Sequence, residues 1–122
     1  MSLIGMDVGS TGCKAVAFSP EGEVLAQAYQ EYPEVYPAPG WIELRPQDIW
    51  QAVCNVLRQV AAELKNDPPQ ALSISALGEA FTPIDRDGNY LYNTIVSPDA
   101  RAVKQAESWR ETLGEKRVFE IT

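Results

Sequence analysis

Residues 7–14 bring together groups that could hold a phosphate. The stretch DVGSTGCK offers a carboxylate, two glycines, two hydroxyls and an ammonium group, on Asp7, Gly9, Gly12, Ser10, Thr11 and Lys14. Glycine can adopt positive φ and lets backbone N–H groups approach an anion, and lysine adds a positive point charge. An ionised Asp7 cannot bind phosphate directly, so it has a role only if a cation such as Mg²⁺ lies between them. Because the same residue types are common in turns, the pattern alone allows either a Mg²⁺–phosphate cradle or a plain tight turn.

Two familiar phosphate-binding motifs do not match this stretch. A Walker loop needs lysine directly after glycine and a helix next, but Cys13 separates Gly12 from Lys14 and strand-like residues follow. A dinucleotide fingerprint needs a glycine two positions before Gly9, where Asp7 stands. The remaining interpretation is a glycine-rich β-hairpin.

The elements around this loop can be predicted from apolar periodicity. Apolar runs at 3–6, 15–18 and 24–32, separated by turn residues, predict a three-stranded antiparallel meander. A helix is predicted from Pro46, after a proline-rich loop. Its apolar stripe is Ile49, Val53, Leu57, Val60 and Leu64. Residues 71–76 then predict a buried strand, and Trp50 and Cys54 are expected in the core.

Three antiparallel strands, a helix and a fourth, parallel strand are the elements of a ribonuclease-H-like α/β fold, a mixed sheet with flanking helices. A right-handed crossover is expected before the fourth strand. Further on, residues 85–89 predict a hairpin turn. Ser97-Pro98-Asp99 resembles a helix start with Ser97 as the cap, and Gly114 would end that helix.

Composition limits the classes of function. The 122 residues suit a single domain, and the net charge of -7 argues against binding to nucleic acid or to an anionic membrane surface. The absence of histidine removes His-based catalysis and most zinc sites. Cys13 and Cys54 are expected to be reduced thiols, and no signal peptide or apolar run of membrane-spanning length is visible, so a cytoplasmic location is expected.

Four stretches carry a resemblance to a known family. Asp7-x-Gly-Ser-Thr-Gly-x-Lys14 resembles the first phosphate loop of the sugar kinase, Hsp70 and actin superfamily. Gly40-Trp-Ile-Glu43, followed by Asp48-Ile-Trp50, is similar to a segment of the FGGY carbohydrate kinases, and so are Ile74–Glu79 and Ile95–Arg101. The stretches occur in the family's order along essentially the whole chain, so the chain resembles an FGGY kinase with an actin-like ATPase fold.

The resemblance implies roles for individual residues. Asp7 would organise Mg²⁺ and its waters, and the ATP phosphates would be bound by Gly9, Ser10, Thr11, Gly12 and Lys14. Gly78, Glu79 and Asp99 would contact the sugar, with the Glu79 carboxylate accepting hydrogen bonds from two hydroxyl groups; a solvated loop glutamate is the alternative for Glu79. For Asp99 the helix-start role is the alternative, and Ser97 replaces the family's tryptophan.

The resemblance also implies the function. The chain would be the N-terminal part of the first, sugar-binding domain of a longer kinase that transfers the γ-phosphoryl of ATP to a hydroxyl of xylulose, gluconate, glycerol or a similar small molecule. The catalytic aspartate is expected beyond residue 122, so the chain alone should be inactive. A homodimer is one option for the full-length enzyme.

Two other classes of protein share this fold. The main alternative is an actin-like ATP-binding assembly protein, which the segments at Glu79 and Gly40-Trp41 disfavour. A ribonuclease-H-like nuclease needs several carboxylates around two metals, and Asp7 has no evident acidic partners in the sequence.

Overall fold

The computed structural model describes residues 1–121 as seven strands and three helices. The strands are β1 (Ser2–Val8), β2 (Gly12–Phe18), β3 (Val24–Glu31), β4 (Glu34–Val35), β5 (Glu43–Leu44), β6 (Pro69–Ala76) and β7 (Thr94–Ile95). The helices are α1 (Pro46–Glu63), α2 (Val103–Leu113) and α3 (Glu115–Ile121). No helix in this part of the chain is both long and apolar enough to cross a membrane.

The main sheet has the predicted topology. Its strand order is β3-β2-β1-β6, in which β1 and β3 are both antiparallel to β2 and β6 is parallel to β1. Helix α1 makes the crossover between β3 and β6. The prediction of three antiparallel strands followed by a helix and a parallel strand is therefore confirmed.

Helix α1 covers one face of the sheet. Pro46 begins it and Asp48 places negative charge near the positive end of the helix dipole, although no side chain caps the helix at Arg45. The helix packs mainly on β2 and β3. The core between the helix and the sheet is apolar and includes Ile4, Met6, Cys13, Ala15, Ala17, Ala26, Ala52, Val56, Val60 and Leu64.

The buried face of α1 differs slightly from the predicted stripe. Its centre contains Ala52 and Val56, which the predicted stripe leaves out, whereas Ile49, Val53 and Leu57 are only partly buried. The prediction that Trp50 lies in the core is wrong, because its side chain is 62% exposed. At about 100° per residue, Trp50 lies about 200° around the helix from the fully buried Ala52. Cys54 is half-buried.

Strand β6 is not buried as predicted. It lies at the edge of the sheet and all eight of its residues are exposed. Leu72 and Ile74 face the same side of the sheet as α1, in register with Ile4 and Met6 of β1, but the helix packs over β2 and β3 instead. The apolar sequence of the strand correctly predicted its conformation but not its exposure.

A second, smaller sheet joins β4, β5 and β7 beside the amino end of α1. The predicted turn at 85–89 is present, with Gly88 at positive φ and the Asp85 amide donating to the Asn89 carbonyl at 3.0 Å. Gly114 ends α2, as predicted, but α2 begins at Val103 and has no side-chain cap, so the expected cap at Ser97 is wrong.

Candidate functional site

Residues 9–11 form a tight hairpin between β1 and β2. The Gly9 amide donates to the Gly12 carbonyl at 2.9 Å, which closes the turn. Neither Gly9 nor Gly12 has positive φ, so the expectation that these two glycines adopt positive φ is wrong. Among the described residues, the amides of Ser10 and Thr11 at the tip donate no hydrogen bond, which leaves both available to a ligand.

Glycine is required at position 12 because there is no space for a side chain. A Cβ atom there would lie 2.6 Å from the Gln30 carbonyl oxygen and 2.8 Å from the Tyr29 hydroxyl, closer than atoms in a folded protein tolerate. At Gly9 a Cβ would lie 3.3 Å from the Gly12 oxygen and 3.9 Å from a carboxylate oxygen of Asp7. The glycines therefore let β3 approach the hairpin and keep space beside Asp7.

Tyr32 supports the hairpin from the buried side. Its hydroxyl donates to the Gly9 carbonyl and lies 3.1 Å from the Gly12 carbonyl oxygen, and its backbone amide donates to the Thr11 carbonyl at 3.3 Å. Burial, followed by the nearby groups of Cys13, Asp7 and Tyr29, raises the pKa of Tyr32 to about 12. The hydroxyl therefore keeps its proton and remains a donor.

Asp7 and Lys14 lie side by side on the face of the sheet opposite α1. They are directly opposed in the β1–β2 register, and Asp7 is also in register with Ser75 of β6. All three line an open cavity of about 340 Å³. Within residues 1–121 neither charged side chain has an ion pair or a hydrogen bond, so both are free to bind a ligand.

The donor set around Asp7 fits Mg²⁺ only if phosphate and water supply most of the ligands. No group of three or more acidic, cysteine or histidine side chains in the described part of the chain could hold a metal by itself. Mg²⁺ is commonly bound by one or two carboxylates together with substrate phosphates and retained waters. A single free carboxylate beside two unpaired amides and a lysine matches that arrangement.

The segment after β6, which carries Gly78 and Glu79 and is called the sugar loop below, begins beside the hairpin. Val8 and Ala76 end the parallel strands β1 and β6 and are partners in register. The segments that follow them therefore leave the sheet next to each other, at the carboxyl ends of these strands. Gly78 and Glu79 are exposed on the second of these segments. A Cβ added to Gly78 would meet nothing within 4 Å. No hydrogen bond engages the Glu79 carboxylate within the described chain.

Asp99, the third predicted sugar contact, lies in a separate cluster of charges. Its carboxylate accepts from the Ile42 amide at 2.7 Å and from the amide, Nε and Nη2 of Arg101 at 2.8–2.9 Å. The Arg101 guanidinium also stacks on Trp41, 4.0 Å from the ring centroid. With its side chain only 2% exposed, Asp99 is engaged by protein donors. These contacts favour a positioning role, and its role as a sugar contact stays a prediction.

Glu43 completes the charge cluster. It is 2% exposed and accepts hydrogen bonds from Arg101 at 2.7 Å and from Tyr92 and Asn93 at 2.9 Å. Burial alone would raise the pKa of the Glu43 carboxyl, but the donors Asn93, Arg101 and Tyr92 outweigh it and leave the pKa below its ordinary value. The cluster joins the loop before α1 to the segment before α2.

Sequence reasoning did not assign a role to Tyr32 or to Arg101. Tyr32 looked like the last residue of a strand, and nothing in its neighbours indicates that its hydroxyl returns to a turn 20 residues earlier. A signal existed for Arg101, since it and Glu43 both lie in stretches that resemble the family. The pairing of the two needs the fold, because 58 residues separate them.

Comparison with known proteins identifies the family. The sequence matches the N-terminal domain of the FGGY family of carbohydrate kinases over residues 2–122. It is 31% identical over 115 residues to a glycerol kinase from Thermococcus gammatolerans, covering 93% of this chain and 23% of that protein. The fold is similar to gluconate kinase from Lactobacillus acidophilus, with a TM-score of 0.88 and 25% identity over 98% of this chain and 24% of that one. A ligand-bound xylulose kinase from the same organism gives the same values.

The chain thus spans about a quarter of the length of the relatives it matches. The resemblance first suggested by the phosphate loop is confirmed, and it favours a kinase over an actin-type assembly protein. The chain belongs to the FGGY family of carbohydrate kinases and has the actin-like ATPase fold.

Proposed function

We propose that this chain is the N-terminal part of the sugar-binding domain of a longer kinase that transfers the γ-phosphoryl of Mg·ATP to a hydroxyl of a sugar or polyol. The observation that carries the proposal is the pair of charges Asp7 and Lys14, which have no partner among residues 1–121, beside a glycine hairpin whose Ser10 and Thr11 amides are equally unpaired there. The loop that carries Glu79 leaves the sheet at the same edge. Transfer of a phosphoryl group requires that the ATP phosphate and the acceptor hydroxyl lie next to each other.

The residues of the hairpin have complementary tasks toward ATP. The amides of Ser10 and Thr11 would donate to phosphate oxygens, and the Lys14 ammonium would offset their charge. Asp7 would hold a Mg²⁺-bound water and so fix the phosphates relative to the sheet. Through the Mg²⁺ that it would hold, Asp7 would bring positive charge close to the phosphates and so offset the negative charge that develops during transfer.

The acceptor is proposed from the sugar loop and from the relatives. Within residues 1–121 the Glu79 carboxylate has no partner, and it can accept hydrogen bonds from two hydroxyl groups, which suits a polyol. The matched relatives are glycerol, gluconate and xylulose kinases, so we place the substrate among such small polyhydroxylated molecules. Asp7 is engaged with the phosphates in this scheme, so another group has to act as the base for the acceptor hydroxyl, and we propose an aspartate outside residues 1–122. The isolated chain would then have no kinase activity.

The proposal is tested by measuring ADP release from the longer kinase with glycerol, gluconate, xylulose and related sugars. We expect turnover with at least one of them and none from residues 1–122 alone. Glu79→Gln should raise the KM for the active sugar about 10-fold, because it removes a charged acceptor worth about 1.5 kcal/mol, and leave the KM for ATP unchanged. Glu21→Gln, at an exposed turn, is the matched control. Absence of both turnover and ATP binding would contradict the proposal.

A further inference from the structure

Tyr32 follows β3 and is only 6% exposed, yet its hydroxyl is directed at the backbone of the hairpin. A buried tyrosine hydroxyl needs a hydrogen-bond partner, and this one contacts two carbonyl oxygens, of Gly9 and Gly12. The Gly12 oxygen also accepts from the Gly9 amide. Within the part of the chain that the structure describes, the Gly9 oxygen accepts from Tyr32 alone.

Through the geometry of the peptide bond, this contact also fixes the direction of the Ser10 amide on the opposite side of the hairpin. A trans peptide is planar, so the C=O of one residue and the N–H of the next point in opposite directions. Because Tyr32 holds the Gly9 carbonyl toward the protein interior, the Ser10 N–H is directed away from it. The bond from the Tyr32 amide to the Thr11 carbonyl restrains the other side of the tip in the same way.

We propose that Tyr32 is a positioning residue for nucleotide binding, which fixes the Gly9–Ser10 peptide plane so that the Ser10 amide, and not the Gly9 oxygen, meets the phosphate. Without the hydroxyl this plane can rotate and present a carbonyl oxygen, which repels phosphate. The raised pKa of Tyr32 supports this role, since the hydroxyl remains a donor up to a pH of about 12. The inference rests on the function proposed above.

The test compares Tyr32→Phe with Tyr36→Phe in the longer kinase. The matched control loses an exposed hydroxyl whose one hydrogen bond within residues 1–121 is to the Glu34 carboxylate. We expect Tyr32→Phe to raise the dissociation constant and the KM for Mg·ATP roughly 3- to 10-fold, the effect of one lost neutral hydrogen bond. The KM for the sugar and the affinity of the control for Mg·ATP should not change.

A second readout reports on the hairpin itself. Amide hydrogen exchange at Gly9, which donates to Gly12, should accelerate several-fold in Tyr32→Phe, while the β1–β2 ladder amides stay protected. If the wild-type kinase binds Mg·ATP and Tyr32→Phe binds it with the same affinity, the inference about Tyr32 is overturned and the proposed function stands. An equal rise in both KM values, which indicates a general structural defect, would overturn the inference as well. Failure of the wild-type kinase to bind Mg·ATP would instead reject the proposed function, and the inference with it.

Discussion

Replacement of Gly12 by alanine tests whether the hairpin depends on the close approach of β3. The added Cβ would lie 2.6 Å from the Gln30 carbonyl oxygen, a backbone atom of the neighbouring strand that cannot rotate away. It would also lie 2.8 Å from the hydroxyl and 3.0 Å from the ring of Tyr29, but this half-exposed side chain can move aside. The contact with Gln30 therefore decides the outcome.

The size of the effect follows from the displacement required. An ordinary contact at this position begins near 3.4 Å, so the end of β3 must move away from β2 by about 0.8 Å. Forcing extra atoms into a packed region typically costs about 1–3 kcal/mol. Because Tyr32 follows β3 directly, the same movement would disturb its contact with Gly9 and weaken ATP binding.

Urea denaturation of the chain measures the free energy of unfolding, with Gly78→Ala as the control. Gly78 has open space around its Cβ position and no positive φ, so that variant should stay within about 0.5 kcal/mol of wild type. Gly12→Ala should be less stable by about 1–3 kcal/mol. Equal stability of the two variants would refute the steric reasoning.

Two further predictions concern the charge cluster and the core. Glu43→Gln should destabilise the chain by about 1.5–3 kcal/mol at pH 7, because the Arg101 guanidinium loses one charged hydrogen-bond acceptor while it keeps Asp99. Because the pKa of Glu43 is lowered, the stability that its charge contributes is complete above the ordinary pKa of 4.5 and is lost as the pH falls through the lowered pKa. In urea denaturation, the free energies of unfolding of Glu43→Gln and wild type should therefore differ less at pH 3 than at pH 7. A difference that grows in acid would contradict the assignment. Val56→Ala, at a fully buried position, should cost about 2 kcal/mol and Trp50→Ala less than about 0.5 kcal/mol; a larger loss at Trp50 would show that the tryptophan packs against the core.

Much of the fold could be predicted from local patterns. Short apolar runs between glycine and proline turns predicted β1, β2 and β3, and the apolar sequence of 71–76 predicted a strand there. Periodicity could not predict that Trp50 is exposed or that β6 lies uncovered, because exposure depends on where α1 settles on the sheet. That position is set by packing against β2 and β3, which are distant in sequence.

The residue types of the candidate site could be predicted from the sequence, but the residues that hold its loops in position could not. Asp7 and Lys14 belong to one short stretch, and their opposition across a hairpin follows from its length. The contacts of Tyr32 with Gly9 and of Arg101 with Glu43 join residues 23 and 58 positions apart, so only the fold brings them together. Asp99 shows the same limit, since its sequence suggested a place in the first turn of a helix capped by Ser97, whereas its carboxylate binds Arg101 and the Ile42 amide.

Asp7 is proposed to act on phosphate through a cation, and calorimetric titration of the longer kinase with ATP, in the presence and absence of Mg²⁺, measures whether it does. With Mg²⁺, Asp7→Asn should weaken binding roughly 10- to 100-fold, the loss of one charged contact of about 1.5–3 kcal/mol. Without Mg²⁺ the same variant should bind ATP about fivefold more tightly, because a like charge worth about 1 kcal/mol is gone. Asp87→Asn, in the exposed turn at 85–89, should change neither affinity. A change of affinity in the same direction with and without Mg²⁺ would show that Asp7 does not act through the cation.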